Sequence, residues 1–446
     1  MKLFFVLASL VLVGPLSSQT LEGLKISTTS GLTVKQTNGP NENQPWELER
    51  FEALKAGFAK LATNVTVKAS DTMFDRQMYA VRLAANTMED AFLVAFTEPK
   101  FLIEKKYVAD ITSYVNKWKH FAEFNPDVLG VVSDDQGKVF GLPVNGYSLG
   151  LMYNRTMFKK AGLDPEKPPK TWDELRAYAE KLTDTKKGIA GFAACSKASQ
   201  GGWHFTAMVY SFGGDLEKQV NGKWVADFSN PKSLAALEFL RALRWDDETM
   251  TKQQMLEDKD LLQLLASGRI AMAIMAGDKL RNLKEQYQVD MNEFGLGPLP
   301  QGGGNATLAG GAAWMFNPKT PPAVLEAAVA WTIFHSFINY DSDIKGQSQR
   351  GQLVGWPRLP VFSGPYETER GAIEAKYANA PIKNYVTFVN AKNIKVRAEP
   401  PVESKKLYTA LDSVLQAVLT NPLADPKQEL VTAERQFQKS VLDTLK

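Results

Sequence analysis

The sequence predicts an α/β fold laid down as two successive series of strands and helices. Two short runs, "AFLVAF" (residues 91–96) and "IAMAIM" (270–275), are wholly apolar, as strands buried on both faces of a parallel sheet are. Between such runs lie segments with helical apolar spacing, the alternation that marks βαβ units. The chain has 446 residues, 44% hydrophobic and 23% charged, a globular balance with material for two or three domains.

The N-terminus reads differently. Met1-Lys2, the apolar run Leu3 to Val13, and the small-residue stretch Gly14-Pro15-Leu16-Ser17-Ser18 predict a cleavable secretory signal over 1–18. That run is shorter than the roughly 20 residues a membrane-spanning helix needs, and no later stretch approaches that length. Cys195 is the single cysteine, so no intramolecular disulfide forms, and no cysteine ends the signal to carry a lipid. A soluble, exported, periplasmic protein is expected. The 52 basic and 49 acidic residues give a net charge of +3 without long blocks of either sign, which argues against nucleic-acid and membrane-surface partners.

The first series begins with a strand at 24–29 and a helix at 47–61, in which Leu48, Phe51, Leu54, Phe58 and Leu61 fall near one face. A strand at 65–69, a helix at 74–85 and the strand at 91–96 follow. The second series starts near Pro143. Leu149 to Tyr153 is a strand, Asn154 caps a short helix that stops at Gly162, and Thr171 with Glu174 forms a capping box for a helix running to about Leu182. Leu234, Leu237, Leu240 and Leu243 mark another helix; 321–338 reads as a long one, and 404–419 and 426–445 as two more. Loops are expected at 38–45, 301–305 and 351–365, with Gly302-Gly303-Gly304 a flexible surface loop.

Gly146-Tyr147-Ser148-Leu149-Gly150 fits the G-x-S-x-G pattern of a serine nucleophile elbow. An elbow leaves a strand and enters a helix at once, whereas "LGLMY" continues as a strand with no helix start before Asn154. Of the histidines, His120, His204 and His335, the last lies on the apolar face "WTIFHSF", where a structural role fits better. There is no phosphate loop, no H-E-x-x-H and no cysteine or histidine cluster at metal-ligand spacing, so neither metal nor cofactor is expected. A carboxylate pair of glycosidase type stays open among 49 acidic residues, so a secreted carbohydrate-active hydrolase is the enzyme alternative.

The stretch "GKVFGLPVNGYSLGLMYNRTMFKKAGLDPEKPPKTWDEL" (137–175) closely resembles the signature region of the extracellular solute-binding proteins that deliver sugars to bacterial ABC transporters. "SGRIAMAIMAGD", "FGLGPLP", "LAGGAAWMFNPKT" and "AVLEAAVAWTIFHSF" resemble later segments of the same family, so the likeness covers nearly the whole mature chain. The segment 31–46 departs most and is read as a loop particular to this protein. The resemblance implies a two-lobed periplasmic-binding-protein fold, with one lobe from 22–142 plus 298–341 and the other from 143–297 plus 342–446. It also implies a ligand cleft between lobes that close by hinge motion, a carbohydrate ligand, a transmembrane permease as partner, a monomer, and binding without catalysis.

The resemblance also suggests where ligand is held. Asn145 and Tyr147 fall where the family often contacts ligand, or form a polar turn at the hinge. Thr97 and Glu98 match cleft polar positions, or cap the helix before Pro99. Trp203 and His204, in the glycine-flanked "GGWHF" read as a loop, match a stacking and hydrogen-bonding position. Gly310-Gly311 lets backbone approach the ligand, or makes a tight bend. Asp278 aligns with a strand's cleft end, or caps the following helix. Many relatives carry tryptophan where this chain has Lys279. Trp356 and Arg358 resemble the late cleft segment, or a surface loop. Lys279 and Arg358 together raise an alternative ligand, an acidic or phosphorylated sugar or polyol.

Overall fold

The computed structural model describes residues 22–24, 26–41 and 43–445; the expected signal, 1–18, lies outside the described residues. Two compact units emerge, each assembled from separate stretches of chain.

The first comprises the described residues up to Leu93 with 108–122 and 315–339. Strand β1 (Leu32–Gln36) lies between β2 (Val65–Ala69) and β3 (Ala91–Ala95), parallel to both. Leu32 and Val34 point inward, and the helix Pro45–Ala59 adds Phe51, Leu54 and Phe58. Phe58 meets Trp331 of the helix Pro322–Ile333 edge-on at 5.2 Å. Trp331 donates its indole N–H to Oε1 of Gln36, which satisfies a polar side chain buried in a core strand. The long helix expected over 321–338 is α-helical to Ile333 and widens to a π-helical turn through Ile338.

The strand expected at 24–29 is a correction. Among the described residues the first strand starts at Leu32, inside the segment 31–46 read as a loop. The carbonyls of Ser27 and Thr29 are taken by the Asn64 side-chain amide at 2.7 and 2.6 Å, not by a sheet ladder.

The second unit comprises 94–107, 123–314 and 340–446. Its spine is β4 (Gly141–Asn154), longer than expected at its N-terminal end. Beyond it come β5 (Ala190–Ala193), the hairpin of β6 (Glu217–Val220) and β7 (Lys223–Ala226), and β8 (Ile270–Ala276), buried at every position. β9 (Phe294–Pro298), β10 (Ala306–Phe316, in this unit up to Trp314) and β11 (Lys395–Arg397) complete the set. β4 runs antiparallel to β8 and β9, β5 parallel to β8, and β10 lies beside β4.

Several helix signals resolve as read. The Asn154 side chain accepts from the Met157 N–H at 2.9 Å, and Gly162 takes a positive φ of 74°. Thr171 Oγ1 caps the helix Trp172–Leu182 through the Glu174 N–H, but the Glu174 carboxylate takes the N–H of Lys170, one residue earlier than the expected box. The last long helix stops at Ser440 and gives way to a 3-10 turn over Leu442–Thr444, short of the expected 445. Gly302–Gly304 is not a loose surface loop: the N–H groups of Gly302 and Gly304 both donate to the Ser211 carbonyl at 2.9 Å, and a Cβ on Gly304 would lie 2.6 Å from that oxygen.

Candidate functional site

β4 passes through "GYSLG" without interruption, so Ser148 sits in mid-strand and no strand-to-helix turn presents its hydroxyl. Of the three histidines only His204 belongs to the same unit, and its imidazole meets Asp258. Among the described residues no nucleophile elbow is built.

β4 instead contributes Asn145, Gly146 and Tyr147 to one wall of a cavity of ≈ 410 Å³. The cavity is also lined by Asp278, by Arg281, Asn282, Glu285 and Gln286 from one face of the helix Lys279–Tyr287, and by Trp356. Asn145 Oδ1 accepts the Ala312 N–H at 3.0 Å, which fixes the orientation of its amide. Tyr147 packs edge-on against Trp203, centroids 6.0 Å apart. Burial first, and then the charge of Asp278, pushes the Tyr147 phenol up, so it is a neutral O–H donor. Burial likewise raises Asp278, whose Oδ1 is enclosed without a hydrogen bond. It stands at the helix N-terminus but makes no side-chain cap. Arg281 is engaged by Glu285 at 2.6 Å.

Of the residues singled out in the sequence, Asn145, Tyr147, Asp278 and Trp356 thus meet around one cavity. Thr97 lines a different one, of ≈ 470 Å³, with Lys100, Trp224 and Glu399 among its walls; the Lys100 ammonium lies 5.0 Å from the Trp224 ring centre. Glu98 is buried at 4% exposure and precedes the helix Pro99–Glu104 without a side-chain cap.

One expectation is corrected in its local structure, and four other residues have packing or pairing partners. "GGWHF" is not a loop but lies within the helix Gln200–Ser211. Its glycines serve packing: a Cβ on Gly202 would sit 2.2 Å from the Tyr408 carbonyl oxygen of the helix Ser404–Thr420. Trp203 turns its N–H to Glu399 at 3.2 Å, and His204 is 2% exposed. Gly310 and Gly311 also answer to packing, since a Cβ on Gly310 would be 2.5 Å from the Tyr147 ring and one on Gly311 2.3 Å from the Asn145 carbonyl. Neither cation proposed for an anionic ligand stands alone. Lys279 Nζ lies 3.3 Å from Asp258, and Arg358 is clamped by Glu374 at 2.7 Å and Glu367 at 3.0 Å.

Sequence reasoning missed Arg281, Asn282, Glu285 and Gln286. The signal was present: with Asp278 they recur at i, i+3, i+4, i+7 and i+8, one face of a helix, but as polar rather than apolar periodicity. It also missed the meeting of Cys195, His204 and Asp258, whose donor atoms lie within 4.8 Å of one another.

A mixed α/β chain with a concave site of two aromatic faces, amides and carboxyl groups has the lining of a small-molecule binding site. It belongs to the bacterial extracellular solute-binding protein family, whose profile matches residues 45–335. Among similar proteins, the sn-glycerol-3-phosphate-binding periplasmic protein UgpB of Escherichia coli K12 is 26% identical over 349 residues, 72% of this chain and 73% of that protein. The fold is shared with the GacH receptor of Streptomyces glaucescens, solved unliganded and with acarbose: TM-score 0.71, 19% identity, 94% of this chain and all of that one (100%). It is shared too with UgpB of Mycobacterium tuberculosis in complex with glycerophosphocholine: TM-score 0.67, 17% identity, 92% of this chain and 98% of that one. No helix among the described residues is long and apolar enough to cross a membrane.

Proposed function

We propose that the protein captures a neutral carbohydrate in the cavity between β4 and the helix Lys279–Tyr287 and presents it to the transmembrane permease of an ABC importer. The observation that carries this reading is the cavity's chemistry. Tyr147 and Trp356 offer faces for the C–H side of a sugar ring, and Asn145, Asn282 and Gln286 offer amide donors and acceptors for its hydroxyls. Asp278 adds a carboxyl group to the lining, and its Oδ1 has no hydrogen-bond partner within the protein. The UgpB relatives favour a phosphorylated polyol. Against that, Arg281, the cation lining this cavity, is engaged by Glu285, and Lys279 and Arg358 are each held by carboxylates, so the site suits an uncharged ligand better.

Binding without turnover, a soluble periplasmic location, a monomeric state, and the lobes 22–142 plus 298–341 and 143–297 plus 342–446 belong to the same proposal. A thermal-shift screen over mono-, di- and oligosaccharides, uronic acids and sn-glycerol-3-phosphate tests it. A ligand at about 100 times its Kd stabilises by about 2.7 kcal/mol. A shift with a neutral sugar and no product on prolonged incubation is expected. A shift with the phosphate ester alone would reassign the ligand, and turnover of a glycan would overturn the binding reading.

A further inference from the structure

We propose that Cys195, His204 and Asp258 form a zinc site inside the second unit. Cys195 follows β5, His204 lies on the helix Gln200–Ser211 and Asp258 opens the helix Asp258–Ala266, so three separate elements converge on one point. All three are shut off from solvent, at 1%, 2% and 5% exposure.

Two of the three donor separations match those of a metal's coordination shell. Cys195 Sγ lies 3.6 Å from Asp258 Oδ1, and His204 Nε2 lies 3.2 Å from the same oxygen. Zinc takes thiolate sulfur at about 2.3 Å and imidazole nitrogen or carboxylate oxygen at about 2.0–2.2 Å, so a tetrahedral arrangement puts sulfur and oxygen about 3.5 Å apart and nitrogen and oxygen about 3.4 Å apart.

The second observation is the state of His204. Both of its ring nitrogens are buried without a hydrogen bond; the 3.2 Å approach of Nε2 to Asp258 lacks hydrogen-bond alignment. Two unsatisfied imidazole nitrogens in a closed interior are costly unless something fills one of them. A metal ion on Nε2 does so.

Donor type agrees. One thiolate and one carboxylate offset a divalent ion, and the Lys279 ammonium beside the carboxylate leaves one positive charge over. Lys279 Nζ lies 3.3 Å from Asp258 Oδ2, so it can orient the carboxylate from its far side while Oδ1 faces the metal. A sulfur, nitrogen and oxygen donor set selects zinc over magnesium or calcium, which take oxygen ligands. Binding converts the Cys195 thiol to thiolate and releases its proton to solvent, one proton for each ion taken up.

The test uses the full-length mature protein, stripped with chelator and titrated with Co2+ as a spectroscopic probe, without sugar. The expected result is a thiolate-to-cobalt charge-transfer band that saturates at one equivalent and disappears when Zn2+ is added. Cys195→Ala should abolish the band and weaken Zn2+ binding by more than about 100-fold. His204→Gln, read by its altered cobalt spectrum, guards against a Cys195→Ala variant that does not fold. Absence of the band in folded wild-type protein, or its persistence in Cys195→Ala, overturns the assignment.

Discussion

Glu399 is where burial has the clearest consequence for the behaviour of the whole protein. Its carboxylate accepts the Trp203 indole N–H and the Tyr408 hydroxyl, yet desolvation outweighs both and pushes its pKa from 4.5 up to about 7. The folded state therefore holds this proton more tightly than the unfolded chain does. The stability this contributes is fully present below about pH 4.5 and is lost as pH rises through about 7. At about 1.36 kcal/mol per pH unit, the difference between 4.5 and 7 amounts to ~3 kcal/mol. Glu399→Gln keeps the shape and can accept from Trp203 while donating to the Tyr408 oxygen, but it does not titrate. Urea denaturation of both proteins between about pH 4.5 and about pH 8 should show the wild type losing ~3 kcal/mol more than the variant across that range. Glu217, raised to about 8 by burial, adds a similar slope to both proteins and cancels in the comparison. Parallel pH profiles would refute the argument.

Gly202→Ala drives a Cβ into the Tyr408 backbone at 2.2–2.7 Å, so thermal denaturation should show a loss near the upper end of the overpacking range, about 3 kcal/mol. Tyr147→Ala should weaken sugar binding about tenfold or more in calorimetry, since an aromatic face and a donor are both lost, while Ser148→Ala should leave affinity within about twofold. Arg358→Met strands the Glu367 and Glu374 carboxylates; denaturation should show a cost of about 3–5 kcal/mol, with ligand preference unchanged.

Much of the fold was legible because period and punctuation act locally. "AFLVAF" and "IAMAIM" are strands, Asn154 and Thr171 cap the helices they precede, and Gly162 ends one with the positive φ that glycine tolerates. The errors came where a distant partner decides. Nothing near residues 24–29 shows that Asn64 takes their carbonyls. "GGWHF" reads as a loop because glycine disfavours helices in isolation, and only contact with the helix Ser404–Thr420 explains why no Cβ fits there.

The site was legible to the same degree. Asp278, just past the end of β8, follows from the rule that α/β proteins bind at strand ends, whereas Asn145 and Tyr147 lie within β4 and were placed at the candidate cavity by resemblance alone. Ion pairing was not legible. Arg358 and Glu374 are 16 positions apart, and Lys279 and Asp258 come from different elements, so cations read as available in the sequence are already paired in the fold. The meeting of Cys195, His204 and Asp258 spans 63 positions and leaves no spacing signature.

The helix Lys279–Tyr287 supplies four of the nine residues around the ≈ 410 Å³ cavity, and its buried core anchors are Leu280 and Leu283. Cavity lining and core packing are thereby divided between different residues of one short element. Substitutions at 281, 282, 285 and 286 change the chemistry of the lining while the buried anchors of the helix stay as they are. On the proposed reading, a lineage bearing this scaffold changes what it accepts one surface residue at a time, each step free of the penalty that core mutations carry.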